Sequence, residues 1–368
     1  MNPVEALDGL HQKAGANSSF FDRLAVVEKY SIGIEKELRY LQKSSGLFDR
    51  KAWLLLELNG FDAKNFLQGM VSADLEKIEI NQIQPALICQ SKGKIQHVLE
   101  IWRTSQHSWV LSSYPGEGFQ VANLLDKFHI RENFEFQLLT PSILRLDLRG
   151  PRSHKVLEIL ELNGSSSASE TSGVYKKILC TKHQHPGVEH YSLLIQGKDV
   201  ENVANRLLDQ EDCGWVGWNA WNEMDLIERI PVFGKDYTTD NFAQEAALKD
   251  YISFDKGCYI GQEPNARLFF RGRPQKQLVS LSIPDSANIY DASPLFFGSE
   301  LVGEVTTISA SSHDGAYVGM AMVKTKILDT EDTKLSIIPD DPEPTIGWSK
   351  LPTHIGREVP KEIRFCTT

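Results

Sequence analysis

The sequence has few cysteines, no long apolar run and no excess of basic residues. Its five cysteines, at positions 89, 180, 213, 258 and 366, are odd in number, and no two form a Cys-x-x-Cys pair. This spacing supports neither a disulfide framework nor a dedicated zinc site, and we expect no metal. No apolar stretch approaches the roughly 20 residues of a membrane helix. The formal net charge of −10 argues against a nucleic-acid partner.

Two further absences narrow the class of protein. The first residues lack the basic and apolar regions of a secretory signal and the arginine-rich character of a transit peptide, so we expect a cytoplasmic protein. No Gly-x-Gly-x-x-Gly follows an apolar run, which argues against a dinucleotide-binding sheet. A chain of 368 residues with 41% hydrophobic residues is expected to form two or three globular domains.

Periodicity predicts a mixed α+β protein rather than a parallel doubly wound sheet. Leu24, Val27, Tyr30 and Ile34 recur at near-helical spacing, which predicts a helical extension over residues 1–44. Two rounds of strand and helix follow and predict a core over residues 45–275. We expect a helix that begins after Asp62 as its N-cap and a hairpin about the glycine turn at residue 93. Further strands are expected at 108–112, 134–139 and 143–148, and helices at 118–128, 152–161 and 198–209. Helical periodicity then disappears, and short β-rich segments punctuated by glycine predict a barrel-like domain over residues 276–368.

The most informative stretch is Lys-Gly-Cys-Tyr-Ile-Gly-Gln-Glu at residues 256–263, here called the signature segment. Gly257 and Gly261 allow positive φ or close approach of the backbone to a flat ligand. Lys256 beside Cys258 favours a thiolate. From residue 256 to residue 276 there are five Lys or Arg and one acid, a local net charge of +4. This combination suits a flat, polar, anionic small molecule, whereas a tight turn with solvated arginines is the alternative.

The signature segment resembles that of the YgfZ branch of the aminomethyltransferase (glycine-cleavage T-protein) superfamily. Other segments are similar to family motifs in the expected order, so the resemblance runs from about residue 36 to about residue 325. They are residues 46–49 (Gly-Leu-Phe-Asp), 59–63 (Asn-Gly-Phe-Asp-Ala), 66–68 (Phe-Leu-Gln), 146–151 (Leu-Asp-Leu-Arg-Gly-Pro) and 302–307 (Val-Gly-Glu-Val-Thr-Thr).

The resemblance implies two α+β, ferredoxin-like lobes and a C-terminal β-barrel around a central cavity for tetrahydrofolate or a one-carbon derivative. In that arrangement Gln262 and Glu263 read the pterin edge, and Arg267 and Arg271 pair with the tail carboxylates. Cys258 carries any redox or transient-ligand chemistry. The remaining residues expected to bind the cofactor are Lys256, Gly257, Tyr259, Gly261 and Glu228.

The sequence departs from the family pattern at two positions. Aligned through the glycine turn at residue 93, Gln96 and His97 stand where the transferases carry a pair of aspartates, which puts the catalytic acid in doubt. The pterin-binding acid of the family aligns with Ile227, and its following glycine with Arg229. On a strand, Glu228 replaces that acid only if the backbone slips by one residue.

Three functions remain open on these residues. The resemblance implies a folate-binding protein that assists assembly or repair of iron–sulfur enzymes, with such enzymes or their assembly factors as partners. The second possible function is that of a folate-dependent aminomethyltransferase or demethylase with a relocated acid. The third is that of a non-catalytic folate sensor. His183, His185 and His190 flank a Pro-Gly turn and raise the question of a metal, but a single loop of histidines is usually a surface feature.

Overall fold

The computed structural model describes residues 2–21, 24–160, 178–183, 189–312, 315–329 and 334–351, and the backbone of residues 167–169. Its α-helices are α1 (Pro3–Lys13), α2 (Ile34–Lys43), α3 (Ala63–Met70), α4 (Gly118–Phe128), α5 (Ser153–Glu158), α6 (Val200–Leu208), α7 (Trp218–Ile227) and α8 (Gln262–Arg271). No helix among these residues is long and apolar enough to cross a membrane.

The strands make up four sheets. They are β1 (Asn17–Phe21), β2 (Leu24–Lys29), β3 (Ser45–Asp49), β4 (Leu55–Gly60), β5 (Ile83–Cys89), β6 (Ile95–Arg103), β7 (Ser108–Ser113), β8 (Phe134–Leu138), β9 (Ile143–Arg149), β10 (Ser167–Ser169), β11 (Ile178–Lys182), β12 (His190–Gln196), β13 (Cys213–Trp215), β14 (Lys276–Pro284), β15 (Pro294–Phe297), β16 (Glu300–Ile308), β17 (Ala316–Lys324) and β18 (Gly347–Lys350). Helices and mostly antiparallel sheets confirm the predicted α+β class.

The chain divides into two compact units, one of residues 1–87 and 97–221, the other of residues 88–96 and 222–368. The sequence predicts domain boundaries at 44/45 and 275/276. These differ from the borders of the two compact units, and the predicted domains stay a prediction.

The first unit is built on two large sheets. One sheet has the order β10-β11-β12-β9-β3-β13, and the other has the order β5-β6-β7-β4-β8. In the second of these sheets, residues 88–96, at the end of β5 and the start of β6, belong to the second unit. On β9, alternate residues Leu144, Leu146 and Leu148 enter an apolar core. The charged residues between them therefore lie on the opposite face of the sheet, because successive side chains of a strand alternate.

The second unit contains the remaining sheet, whose order is β15-β16-β17-β14-β18. Val279, Leu281, Val305 and Val323 pack in its core. The strands predicted after residue 275 are confirmed. Closure of this sheet into a barrel and the central cavity stay predictions.

The N-terminal prediction was wrong in part. Residues 34–43 are helical as expected, but Leu24–Lys29 is a strand that pairs antiparallel with Asn17–Phe21. A helical spacing over so short a run is weak evidence, and the pair Val26-Val27 favours the extended backbone because β-branched side chains lose rotamer freedom in a helix.

Candidate functional site

The signature segment ends in a turn that only glycine fits. Gly261 has φ +80°, and a Cβ placed there would lie 2.4 Å from the carbonyl oxygen of Gln90 and 2.8 Å from the Cβ of Cys89. Gly261 is also the residue immediately before α8. The positive φ that the sequence allowed is present, and the neighbour that the glycine approaches is the β5–β6 turn; its approach to a ligand stays a prediction.

Gly257 does not have the positive φ that the sequence allowed. A Cβ there would meet nothing within 4 Å. The residue is exposed, as is Cys258 beside it. Alanine would therefore fit at position 257 without strain in the unliganded protein, and close approach of this glycine to a flat ligand stays a prediction.

Lys256 and Tyr259 form the buried side of the segment. The Lys256 Nζ lies 5.2 Å from the centre of the Tyr259 ring, within the range of a cation–π interaction. Burial raises the pKa of the Tyr259 phenol above its usual range. The Tyr259 hydroxyl has no hydrogen-bond partner among the described residues. The segment thus holds a cation and an unsatisfied phenol inward and presents the Cys258 thiol outward.

Asn265 joins α8 to the β5–β6 turn. Its Nδ2 donates to the carbonyl oxygens of Gly93 at 2.8 Å and Gly261 at 3.0 Å. The same nitrogen lies 3.7 Å from the Cys89 sulfur. Burial raises the pKa of the Cys89 thiol to about 12, so this cysteine stays a neutral thiol near pH 7. Cys258 is therefore the cysteine in this region that is accessible to reagents.

The basic residues predicted to bind an anion lie on α8. Glu263, Arg267 and Arg271 are exposed and are spaced four residues apart. Residues at this spacing share one face of a helix, so the two guanidinium groups project on the same side. Arg267 makes no hydrogen bond or ion pair with a described residue. Gln262 is half-buried, and its amide approaches the carbonyl oxygens of Lys256 and Gly257 at 3.4 and 3.5 Å.

Glu228 lies at the end of a helix, not on a strand, so the expected choice between strand faces does not arise. The amide of Ile230 donates to the carbonyl of Asp225 at 2.7 Å, and that of Arg229 donates to Leu226 at 3.0 Å. These two bonds define a Schellman motif that ends α7. Arg229 occupies its left-handed position with φ 62°, where glycine is usual. The half-buried Glu228 follows the last helical residue directly.

The two residues that replace the aspartate pair project on opposite faces of β6. His97 is buried, and its Nδ1 lies 3.1 Å from a carboxylate oxygen of Glu117, which immediately precedes α4. Gln96 is half-buried. Glu100 shares the face of Gln96 but lies four residues further along the strand, roughly 13 Å at strand rise.

A charged cluster that the sequence did not predict surrounds Glu100 in the first unit. Arg145, fully buried, pairs with Glu100 and donates to Asp147 at 2.7 and 2.8 Å. Arg50 donates to Asp147 at 2.9 Å, and Ser192 donates at 2.7 Å. Burial would raise the pKa of Asp147, but Arg145 and Arg50 lower it well below its usual range. Arg145 and Asp147 belong to the alternating strand pattern Leu-Arg-Leu-Asp-Leu-Arg at residues 144–149.

His183 and His190 belong to this cluster, so the expectation of surface histidines was wrong for both. Their rings stack with centroids 3.7 Å apart and planes inclined by 7°. The His190 Nε2 lies 3.2 Å from Asp147, and the His183 Nε2 lies 2.7 Å from the Ser192 oxygen. His185 lies outside the described residues.

The donor set does not suit a divalent cation, although Asp147, His183 and His190 offer ligand atoms within 4.8 Å of one another. Both oxygens of Asp147 already accept hydrogen bonds from the guanidinium groups of Arg50 and Arg145. Those two cations would repel a metal ion, and parallel stacked rings direct their lone pairs side by side rather than toward one point.

The chain is similar to known proteins over most of its length. Residues 7–256 match the model of the GCVT N-terminal domain. An aminomethyltransferase of Symbiobacterium thermophilum is 25% identical over 317 residues, covering 82% of this chain and 84% of that protein. One from Shouchella clausii is 25% identical over 339 residues, covering 88% and 90%. The crystal structure of the glycine cleavage system aminomethyltransferase T from Bartonella henselae superposes with a TM-score of 0.77 at 22% identity, covering 90% of this chain and 92% of that one.

Proposed function

Because this chain belongs to the family of the GCVT N-terminal domain, we propose that it binds tetrahydrofolate or a one-carbon derivative at the signature segment and α8. The observation that carries the proposal is the pair Arg267 and Arg271, exposed on one face of α8 in a chain of net charge −10. Guanidinium forks bind carboxylates through two parallel hydrogen bonds, and the folate tail ends in carboxylates.

The chemistry of the donor set fits the two ends of this cofactor unequally. The tail has Arg267 and Arg271, and the unsatisfied Tyr259 hydroxyl adds a buried donor in the same segment. The pterin edge requires an acceptor pair, for which Glu263 at the first turn of α8 and Glu228 at the end of α7 are the candidates. When bound, the cofactor would supply a carrier of one-carbon units, and these side chains would bind and orient it.

The finer proposal is a YgfZ-type role, in which the protein assists assembly or repair of iron–sulfur enzymes and contacts those enzymes or their assembly factors. It rests on the signature segment and on the exposure of Cys258, the one described cysteine that is not buried. An exposed thiol beside a lysine can be oxidised reversibly or bind a soft metal transiently. The iron–sulfur cluster is then cargo or substrate rather than a resident cofactor.

The alternative is an aminomethyltransferase or demethylase, which is favoured by the names of the relatives and by their coverage of the chain. Gln96 has no ionisable group, and Glu117 holds His97 on the other face of β6. An enzyme of this type would therefore need an acid elsewhere, such as Glu100 or Glu228. A folate sensor without turnover would bind the cofactor and show neither activity.

Calorimetry tests the binding proposal directly. We expect 5-formyltetrahydrofolate, a stable reduced folate, to bind the wild type, and Arg267→Ala to weaken binding by about 1–3 kcal/mol through loss of a charge-assisted hydrogen bond. Arg131→Ala, which removes an exposed arginine of the first unit, is the matched control and should bind like the wild type. No binding at millimolar ligand, or equal binding by the Arg267 variant, would refute the assignment.

A separate experiment distinguishes the three roles. Cys258→Ala should fold and bind folate normally but fail to restore iron–sulfur enzyme activity in cells lacking the protein. Full complementation by Cys258→Ala would contradict the iron–sulfur role of this thiol. Folate-dependent transfer of a methylene group by the purified wild type would instead establish the transferase.

A further inference from the structure

The hydrogen bonds of the charged cluster fix where the proton of His183 resides. The Ser192 hydroxyl has one hydrogen, which it donates to Asp147 at 2.7 Å. The Ser192 oxygen, 2.7 Å from His183 Nε2, must therefore accept from that nitrogen. His183 carries its proton on Nε2, and its Nδ1 faces the carboxylate oxygen Oε1 of Glu100 at 3.6 Å.

When His183 is neutral, its unprotonated Nδ1 and the carboxylate oxygen of Glu100 are both hydrogen-bond acceptors, and they face each other. Burial, with His190 beside it, lowers the pKa of His183 well below its usual range, so the ring is neutral near pH 7. The other oxygen of Glu100 is paired with Arg145. The charged or titratable groups facing the stacked histidines are Arg50 after β3, Glu100 on β6, and Arg145, Asp147 and Arg149 on β9.

We propose that His183 is a proton-operated switch for the carboxylate of Glu100. A proton taken from solvent adds to Nδ1 of His183, and the new N–H donates to Glu100 while Nε2 keeps its bond to Ser192. The imidazolium then competes with Arg145 for the same carboxylate. Glu100 is the member that can move, because 29% of its side chain is exposed whereas the side chains of Arg145 and Asp147 are fully buried.

The rest of the cluster is arranged to stay in place during this exchange. Arg145 retains its two hydrogen bonds to Asp147, at 2.7 and 2.8 Å, when it loses Glu100. His190 keeps its own contact with Asp147 and remains stacked on His183. Acidification therefore changes the partner of one partly exposed carboxylate without opening the buried pair beneath it.

Nitrogen-15 NMR of the histidine rings tests the switch in the full-length protein. At neutral pH, His183 should show a protonated Nε2 and an unprotonated Nδ1. As the pH is lowered below about 6.5, the ordinary pKa of a histidine, Nδ1 should become protonated and the Arg145 guanidinium signals should shift with the same midpoint. A proton on Nδ1 at neutral pH, or Arg145 signals that do not move with His183, would overturn the proposal.

Variants separate the switch from a general effect of acid. Glu100→Gln removes the negative charge that receives the imidazolium and should lower the midpoint of His183 by about 1 unit. His154→Gln, which removes an exposed histidine, is the matched control and should leave that midpoint unchanged. An unchanged midpoint in Glu100→Gln contradicts the proposal even if a His183→Gln variant fails to fold.

Discussion

Replacing Gly261 by alanine should destabilise the second unit strongly. A left-handed backbone costs an L-residue about 1–2 kcal/mol. The added methyl carbon would also lie 2.4 Å from the Gln90 carbonyl oxygen and 2.8 Å from the Cys89 Cβ, and the first is a backbone atom that cannot rotate away. Overpacking of this kind typically costs about 1–3 kcal/mol. The sum gives a loss of about 2–5 kcal/mol.

Urea denaturation measures this loss, and the same segment supplies the control. Gly257→Ala meets nothing within 4 Å and requires no positive φ, so its free energy of unfolding should stay within about 0.5 kcal/mol of the wild type. The two variants add the same methyl group four residues apart. Equal stabilities of the two variants would show that the packing of the β5–β6 turn against Gly261 has been misjudged.

Three further predictions concern stability. Arg229→Gly should raise the free energy of unfolding by about 0.5–1 kcal/mol in chemical denaturation, because it relieves a left-handed φ of 62° at the end of α7; a loss would contradict this. Asp49→Asn should lower it by about 1–3 kcal/mol in the same assay, because buried Lys51 loses its charged partner at 2.6 Å and keeps only the half-exposed Asp8 at 3.0 Å; an unchanged value would mean that Asp8 alone compensates Lys51. Burial lowers the pKa of His183 and of His190, so the unfolded chain binds more protons below about pH 6.5. The contribution of these two histidines to the free energy of unfolding is constant above that pH. Below it, the free energy of unfolding should fall by up to about 1.4 kcal/mol per pH unit for each histidine. Thermal unfolding should show a smaller loss of stability with acid in the double variant His183→Gln/His190→Gln than in the wild type.

Much of the secondary structure could be predicted because local periodicity determines it. The β5–β6 hairpin with its glycine turn, the strands near residues 108–112 and 143–148, and the helices near 118–128 and 198–209 were all expected and are present. The helix after Asp62 also forms, but Asp62 does not cap it. Its carboxylate accepts from the amide of Asn133, 71 residues away, and no local pattern indicates that bond.

The charged cluster shows where prediction from the sequence reaches its limit. The alternation at residues 144–149 predicts a strand with one apolar and one charged face. The partners of Asp147 could not be predicted from the sequence, because Arg50, His190 and Ser192 contact it only through the pairing of β9 with β3 and β12. Histidines that flank a turn are expected to be exposed, whereas the sheet register leaves the side chains of His183 and His190 only 13% exposed.

The signature segment also has features that the sequence predicts and features that only the fold reveals. Its resemblance to a family motif and its basic composition predict a site for an anion, and that site stays a prediction. The need for glycine at 261 arises from the Gln90 carbonyl, which lies 171 positions earlier in the chain, so the two glycines of the segment could not be distinguished before the fold was known.

A crystal structure soaked with tetrahydrofolate is the most direct test of the central claim, that the signature segment and α8 bind a folate. We predict density for the cofactor against residues 256–263, with a tail carboxylate within hydrogen-bond distance of Arg267 or Arg271. A folate bound away from α8, or no density at millimolar ligand in crystals that leave this face open to solvent, would contradict it.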